Sequence, residues 1–504
     1  MLQFISGKLI DGTDNALIEV IDPSNGATVE TGRAASPSDV GDAVAAARDA
    51  FPDWSREAPS TRSAALIRLA GILADRADAL VESEVSQTGK PTKLAAGFDI
   101  PGTIDNASFF AGAARALEGK GAAEYSPEHT SYIRREPIGV IGSIAPWNYP
   151  LQMAGWKILP AIAAGNTVVI KPAQITPLTT IAFAQACADA GIPDGVVNVV
   201  TGYGAIAGEA LVAHPGVSMV SFTGSTTVGR RIMKIASESA KRVQLELGGK
   251  APMVVFDDAD LEAAIHGAVA AALINTGQDC TAATRVYVQQ PLFDQFVDGV
   301  AEVMSQIRLG EPRGESTDLG PLSSLAQQTR VDGYVRRAES YGAKIITGGA
   351  IPTKGWDGSD LTRGSYFEPT LITGVDQRSE IVQEEVFGPV LVALPFESDA
   401  EGISLANDTQ YGLAASAWTR DVYRANTASR ELAAGCVWIN DHIPIISEMP
   451  HGGVKGSGFG KDMSSYGFDE YTTVKHVMFD ITGNARKDWH RTIFAGNESP
   501  GDAR

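Results

Sequence analysis

The sequence predicts an α/β fold made of parallel βαβ units in two successive series, and three observations predict it. Short β-rich runs alternate with helix-like segments. The runs are almost continuously apolar, as strands covered on both faces must be. A second series of the same kind begins near Leu247. The first series contains "IGVIGSIAP", "NTVVIKP", "GVVNVVTG" and "VSMVSFTGS", with "TPLTTIAFAQACADAG" and "TTVGRRIMKIASESA" as helical segments. The second contains "APMVVFDDAD", "TRVYVQQ", "FGPVLVALPF" and "GCVWIN" as strands. Upstream, "SPSDVGDAVAAARDAF" reads as an amphipathic helix. Ser36 is its N-cap, Pro37 its first residue and Asp39 lies in its first turn, while Val40, Val44, Ala47 and Phe51 share one face. No repeat relates the two series, and the aperiodic segment 486–504 reads as a mobile tail.

A chain of 504 residues exceeds one ordinary core and suggests two or three domains, and 44% hydrophobic with 20% charged residues is a globular composition. The net charge of -19 comes without a basic stripe, so neither nucleic acid nor an anionic membrane is an expected partner. Cys187, Cys280 and Cys436 form no CxxC pair and no Cys/His cluster, so no metal and no disulfide framework is expected. A cytoplasmic location follows as an expectation. The start "MLQFISGKLIDGTDNAL" lacks an export pattern, and the apolar stretch "AIHGAVAAALIN" is too short to span a bilayer.

Five stretches carry residue types suited to chemistry. "NTGQDCTAATR" sets Cys280 after an acid and before small residues; by itself it leaves buried filler, metal ligand and nucleophile open. "SFTGSTTVGRRI" offers a strand, a turn at Gly224 and Ser225, and a helix whose free N–H groups can face a phosphate. Its spacing is G-x-x-x-x-G, not the G-x-G-x-x-G fingerprint, and an ordinary strand-to-helix turn competes. "VIKPAQ" ends a strand with Lys171, Ala173 and Gln174, where a lysine can reach a ribose hydroxyl or simply lie on the surface. "APWNYP" puts the Asn148 amide on a turn, suited to a developing oxyanion or to the turn itself. "LELGGK" presents Glu246 before two glycines.

Taken jointly with "EEVFGP" and "PHGGVKGSGFG", these stretches resemble the NAD(P)-dependent aldehyde dehydrogenase superfamily, from near the N-terminus to about Met478. The resemblance implies a Rossmann-type cofactor domain at 1–118 and 137–247, an α/β catalytic domain at 248–447, and a small oligomerisation element at 119–136 and 466–485. It implies Cys280 as nucleophile, Asn148 as oxyanion donor and Glu246 as general base, with Lys171 also in the catalytic set. NAD would lie on Ala145, Pro146, Trp147, Lys171, Ala173, Gln174, Gly224, Ser225, Gly229, Leu247, Glu385 and Phe387. Where many relatives have Lys-Pro-Ser-Glu this chain has "KPAQ"; the neutral Gln174 removes a carboxylate that would repel a 2′-phosphate, so NADP is a second possible cofactor.

Within the superfamily, "FFAGAAR", "GQDCTAATR" and "SEMPHGGVKGSGFGKDMSSYGFDEYT" resemble the γ-aminobutyraldehyde branch, beside the betaine aldehyde enzymes. This implies 4-aminobutanal as substrate, a place in polyamine catabolism and a dimer or tetramer. Tyr149 and Trp156 stand where such enzymes carry cation-facing aromatics, and Asp99, after one gap, near an acid that meets the amine. Asp279 is a second candidate acid, with a backbone-bound structural role competing. Ile274 and His451 occupy positions where relatives often have tryptophan, which favours a primary ammonium over a trimethylammonium. Two other classes compete. A cysteine hydrolase would need a histidine partner, for which His451 is the candidate, and a binding protein would need neither Cys280 nor Glu246.

Overall fold

The computed structural model describes residues 3–493. An eight-stranded sheet has five parallel strands side by side, in the order Arg242–Glu246, Met219–Thr223, Val140–Ile144, Thr167–Lys171 and Val197–Val199. Gly458–Phe459 adds antiparallel to one edge, and Gln3–Ile5 with Lys8–Ile10 to the other. From the strand Val140–Ile144 the chain builds first to one side and then, from Met219–Thr223, to the other. A crevice opens at the carboxyl ends of strands where the order reverses in this way.

Beyond Glu246 the chain runs through "LGGK" straight into Ala251–Val255 of a seven-stranded sheet. Its order is Lys344–Thr347, Thr370–Thr373, Val390–Phe396, Ala283–Gln289, Ala251–Val255, Ala414–Trp418 and Cys436–Ile439, all parallel except the first pair. The apolar runs have a simple cause: Thr167–Lys171, Met219–Thr223, Ala251–Val255 and Ala283–Gln289 are buried at every position. Among the strands that escaped the sequence reading, two show why. Arg242–Glu246 is charged at both ends, and Ala414–Trp418 is built mainly from small residues with low strand preference.

The helix expected after Ser36 spans Pro37–Arg56 and has a capping box, with Asp39 N donating to Ser36 Oγ at 3.2 Å and Ser36 N to Asp39 Oδ2 at 2.8 Å. Val40, Val44 and Ala47 are buried against the sheet, and Phe51 is half-buried. Away from the main sheets, Ala123–Ser126, His129–Pro137 and Thr472–Asp480 form a three-stranded antiparallel sheet. Of the expected tail, Asp488–Thr492 is a short 3₁₀ turn behind Lys487, whose ammonium pairs with Asp480; residues 494–504 lie outside the described residues. Among the described residues no helix is long and apolar enough to cross a membrane. No group of three or more His, Cys, Asp or Glu among them can hold a metal ion.

Candidate active site

A cavity of about 230 Å³ opens at the switch point, where the two sheets meet. The first sheet supplies Pro146 to Tyr149 from the turn after Val140–Ile144, and Gly224 with Ser225 from the turn after Met219–Thr223. The second supplies Cys280, just ahead of Ala283–Gln289, and Glu385 with Phe387 from the loop before Val390–Phe396. Gly249 makes this juncture possible: a Cβ there would lie 2.1 Å from the carbonyl oxygen of Cys280.

The loop carrying Cys280 is strained and pinned. Asn275 (φ 49°), Thr276 (φ 59°) and Gly277 (φ 69°) are left-handed in succession. Each of the first two costs roughly 1–3 kcal/mol, which the surroundings must offset. Gln278 holds the loop, donating from Nε2 to Asn275 O at 3.1 Å and accepting at Oε1 from Ser323 N at 2.9 Å. Asn148 Nδ2 donates to Gln278 O at 2.9 Å, leaving its second amide hydrogen for an oxygen in the cavity. The Asn148 carbonyl accepts from Lys90 Nζ at 3.0 Å and Asn275 Nδ2 at 2.9 Å. Asp279 Oδ1 accepts from Thr281 N at 2.7 Å and Oγ1 at 2.6 Å, while Oδ2 accepts from the Tyr149 hydroxyl at 2.8 Å. His442 Nε2 donates to Thr281 O at 2.7 Å, and burial holds this imidazole near 4, so it is neutral.

Burial and neighbouring carboxylates raise the proton affinity of the reactive groups. Burial, Asp279, Glu385 and Glu246 hold the Cys280 thiol well above its ordinary 9.0. Burial, then Asp462, raises the Glu246 carboxyl well above the usual range, against Lys157 and Lys461. Neither Glu246 oxygen has a hydrogen-bond partner. The carboxyl rests on Gly452 (φ 150°), where a Cβ would be 2.4 Å from Oε1, and Oε2 is 3.7 Å from His451 Nδ1. Burial lifts Glu385 to about 7 although Gly249 N donates to its Oε1 at 2.8 Å.

The sequence-derived candidates divide by position. Pro146, Trp147, Asn148, Tyr149, Trp156, Gly224, Ser225, Leu247, Asp279, Cys280, Glu385, Phe387 and His451 line the cavity. Ala145, Lys171, Ala173, Gln174, Gly229 and Glu246 do not line it. Ser225 caps Thr226–Ser237, accepting from Val228 N at 3.4 Å, and Gly229 lets that helix close on Leu247. Lys171 Nζ is buried and donates to the carbonyls of Pro172 at 2.6 Å and Gly202 at 3.1 Å. Trp147 meets Phe387 edge-on at 5.2 Å. Trp156 Nε1 donates to Asn106 Oδ1 at 2.8 Å, and its ring lies 5.0 Å from that of His451.

Asp99 is corrected. It is fully buried, ion-paired with Lys90 and close to Glu84, and it does not line the cavity; its neighbour Phe98 does. A one-residue step around a helix turns the side chain by about 100°, enough to move it from the cavity to the Lys90 pair, and the gap needed to place Asp99 hid that step. Sequence reasoning also missed Lys90, Gln152, Met153, Arg330 and Ile445. Lys90 stands between Gly89 and Pro91, a turn signal with no chemical one, and the others lie on segments with no motif.

A thiol and a side-chain amide share one cavity at the switch point of a doubly wound sheet capped by a second α/β unit, a setting for nucleophilic chemistry beside a bound ligand. The model of the aldehyde dehydrogenase family matches residues 9–477, and the chain belongs to that family. A betaine aldehyde dehydrogenase of Mesorhizobium japonicum is 42% identical over 95% of this chain and 96% of its own length. The crystal structure of PnpE from Pseudomonas sp. WBC-3 is 38% identical, with a TM-score of 0.94 over 97% of this chain and 99% of that one. The NAD+ complex of an aldehyde dehydrogenase from Bacillus cereus is 38% identical, with a TM-score of 0.92 over 95% and 96% of the two chains. The expected fold class and enzyme class are thereby borne out.

Proposed function

We propose that the protein oxidises a small aldehyde bearing a cationic nitrogen, 4-aminobutanal in particular, to its carboxylate with NAD. The observation that carries this reading is the wall around Cys280, where Tyr149, Trp156 and Phe98 supply aromatic surface and Asp279 supplies a carboxylate aimed by two partners. The crevice suits a dinucleotide: Gly224 and the capped N-terminus of Thr226–Ser237 offer N–H groups to a pyrophosphate, with Trp147, Lys171, Glu385 and Phe387 nearby as further contacts. Bound there, the cofactor supplies the hydride acceptor. The neutral Gln174 leaves NADP as a possible second cofactor.

The chain's own groups do the rest. Cys280 Sγ, having lost its proton, attacks the aldehyde carbon. The oxygen that gains charge is met by the free Asn148 amide hydrogen and the Cys280 backbone N–H. Water then hydrolyses the Cys280 thioester, with Glu246 as the base. A second reading, betaine aldehyde as substrate, is favoured by the 42% identity to a betaine aldehyde dehydrogenase. As part of the same proposal, the protein works in the cytoplasm as a dimer or tetramer assembled through its three-stranded sheet.

The test is a panel of 4-aminobutanal, betaine aldehyde and pentanal with Asp279→Asn. A charge-assisted contact is worth about 1.5–3 kcal/mol, so KM for the preferred cationic aldehyde should rise roughly 10- to 100-fold while pentanal is spared. Equal losses for charged and neutral aldehydes would overturn the cationic reading. The larger kcat/KM of the two charged substrates decides between them.

A further inference from the structure

His451 lines the cavity; Glu246, the base proposed above, does not. The imidazole is 6% exposed, and Nδ1 of this cavity-lining ring is 3.7 Å from Glu246 Oε2. Nδ1 and both Glu246 oxygens are buried without a hydrogen-bond partner, an expensive arrangement unless the atoms serve each other. At 3.7 Å they are not yet bonded, and a small rotation of either side chain closes the gap. The backbone holds His451 in place: its N–H donates to Asp462 O at 2.9 Å, and Asp462 N donates to His451 O at 2.8 Å.

We propose that His451 and Glu246 act as one base, the imidazole carrying the proton of the hydrolytic water from the cavity to the carboxylate behind it. The inference rests on Glu246 serving the hydrolysis step. The balance is straightforward. Water oxygen bonds to the thioester carbon as one of its O–H bonds breaks, and that proton passes to the imidazole at Nε2. The Nδ1 proton passes to Glu246, after which the C–S bond breaks and the electron pair leaves on sulfur, which recovers a proton from solvent. A return through the imidazole resets the pair. Burial disfavours the imidazolium most; Asp462 and Asp279 favour it, and Lys461 and Lys157 oppose it.

The experiment separates acylation from hydrolysis. Mixing the enzyme with 4-nitrophenyl acetate, which acylates a thiol without a hydride step, gives a burst of nitrophenolate followed by steady turnover. His451→Gln should keep the burst and lower the steady rate roughly 100-fold, as loss of a general base does. Glu246→Gln should behave alike, and the double variant should be no worse than either single one, since the residues act as a unit. In His451→Ala, added imidazole should restore steady turnover, and imidazoles of higher basicity should restore more. An unchanged steady rate in His451→Gln overturns the proposal while leaving the Glu246 assignment intact, and so do losses that multiply in the double variant. Full turnover in Glu246→Gln overturns both. Rescue independent of basicity reduces His451 to a space-filling role and overturns the proposal too. Circular dichroism of each variant confirms that the fold is retained.

Discussion

The ammonium of Lys90 donates to the backbone carbonyl of Asn148 at 3.0 Å. Thus a fully buried cation, itself paired with Asp99, fixes the turn that carries Asn148 into the cavity. Replacing it by an isosteric apolar residue leaves Asp99 buried and unpaired. Lys90→Met should therefore destabilise the fold by about 3–5 kcal/mol, read from urea denaturation. Adding Asp99→Leu should recover most of that loss, because the orphaned charge goes with it. Recovery of stability without recovery of kcat would show that Lys90 matters to the turn as well as to the fold.

Asn148→Ala removes the proposed side-chain donor to the oxyanion and should lower kcat roughly 10²–10³-fold, with a smaller change in KM. Steady-state kinetics with the preferred aldehyde measures it. A larger rise in KM than fall in kcat would place Asn148 in ground-state binding instead.

Cys280→Ala should abolish aldehyde oxidation while leaving cofactor affinity, read by fluorescence titration with NAD, unchanged. In the unmodified protein the thiol is held well above its ordinary 9.0. A raised value means that thiolate appears only as pH climbs, so alkylation of Cys280 by iodoacetamide should still be accelerating at pH 9. A plateau below that pH would mean that the acids around the thiol are outweighed.

Gln174→Glu puts a negative charge on the half-buried turn after Lys171. If that turn faces the adenosine ribose, use of NADP should fall more than use of NAD, measured as the ratio of kcat/KM values. An unchanged ratio means that position 174 does not approach the 2′ oxygen.

Legibility from sequence followed the range of the interactions. Strands buried on both faces are written as apolar runs, so the central strands and the two-sheet plan could be read directly. Asn148, Cys280 and Glu385 lie on turns at strand ends, where Gly, Pro and Asn mark the spot, and the structure brings all three to one cavity. Asp99 misled because its role depends on helical register and on Lys90, an ion pair with no local signature. The approach of His451 to Glu246 was equally unreadable, since it joins segments about 200 residues apart that meet where Gly458–Phe459 pairs with Arg242–Glu246.

Three consecutive left-handed residues ahead of Cys280 make Asn275–Gly277 a place where substitution is judged twice. A side chain there must suit its neighbours and also tolerate a backbone conformation most residues avoid. Directed variation aimed at new substrates should therefore spare this segment and draw on Phe98, Met153 and Ile445, which shape the same cavity without positive φ. The reactive sulfur stays on a fixed mount while the space in front of it remains open to redesign.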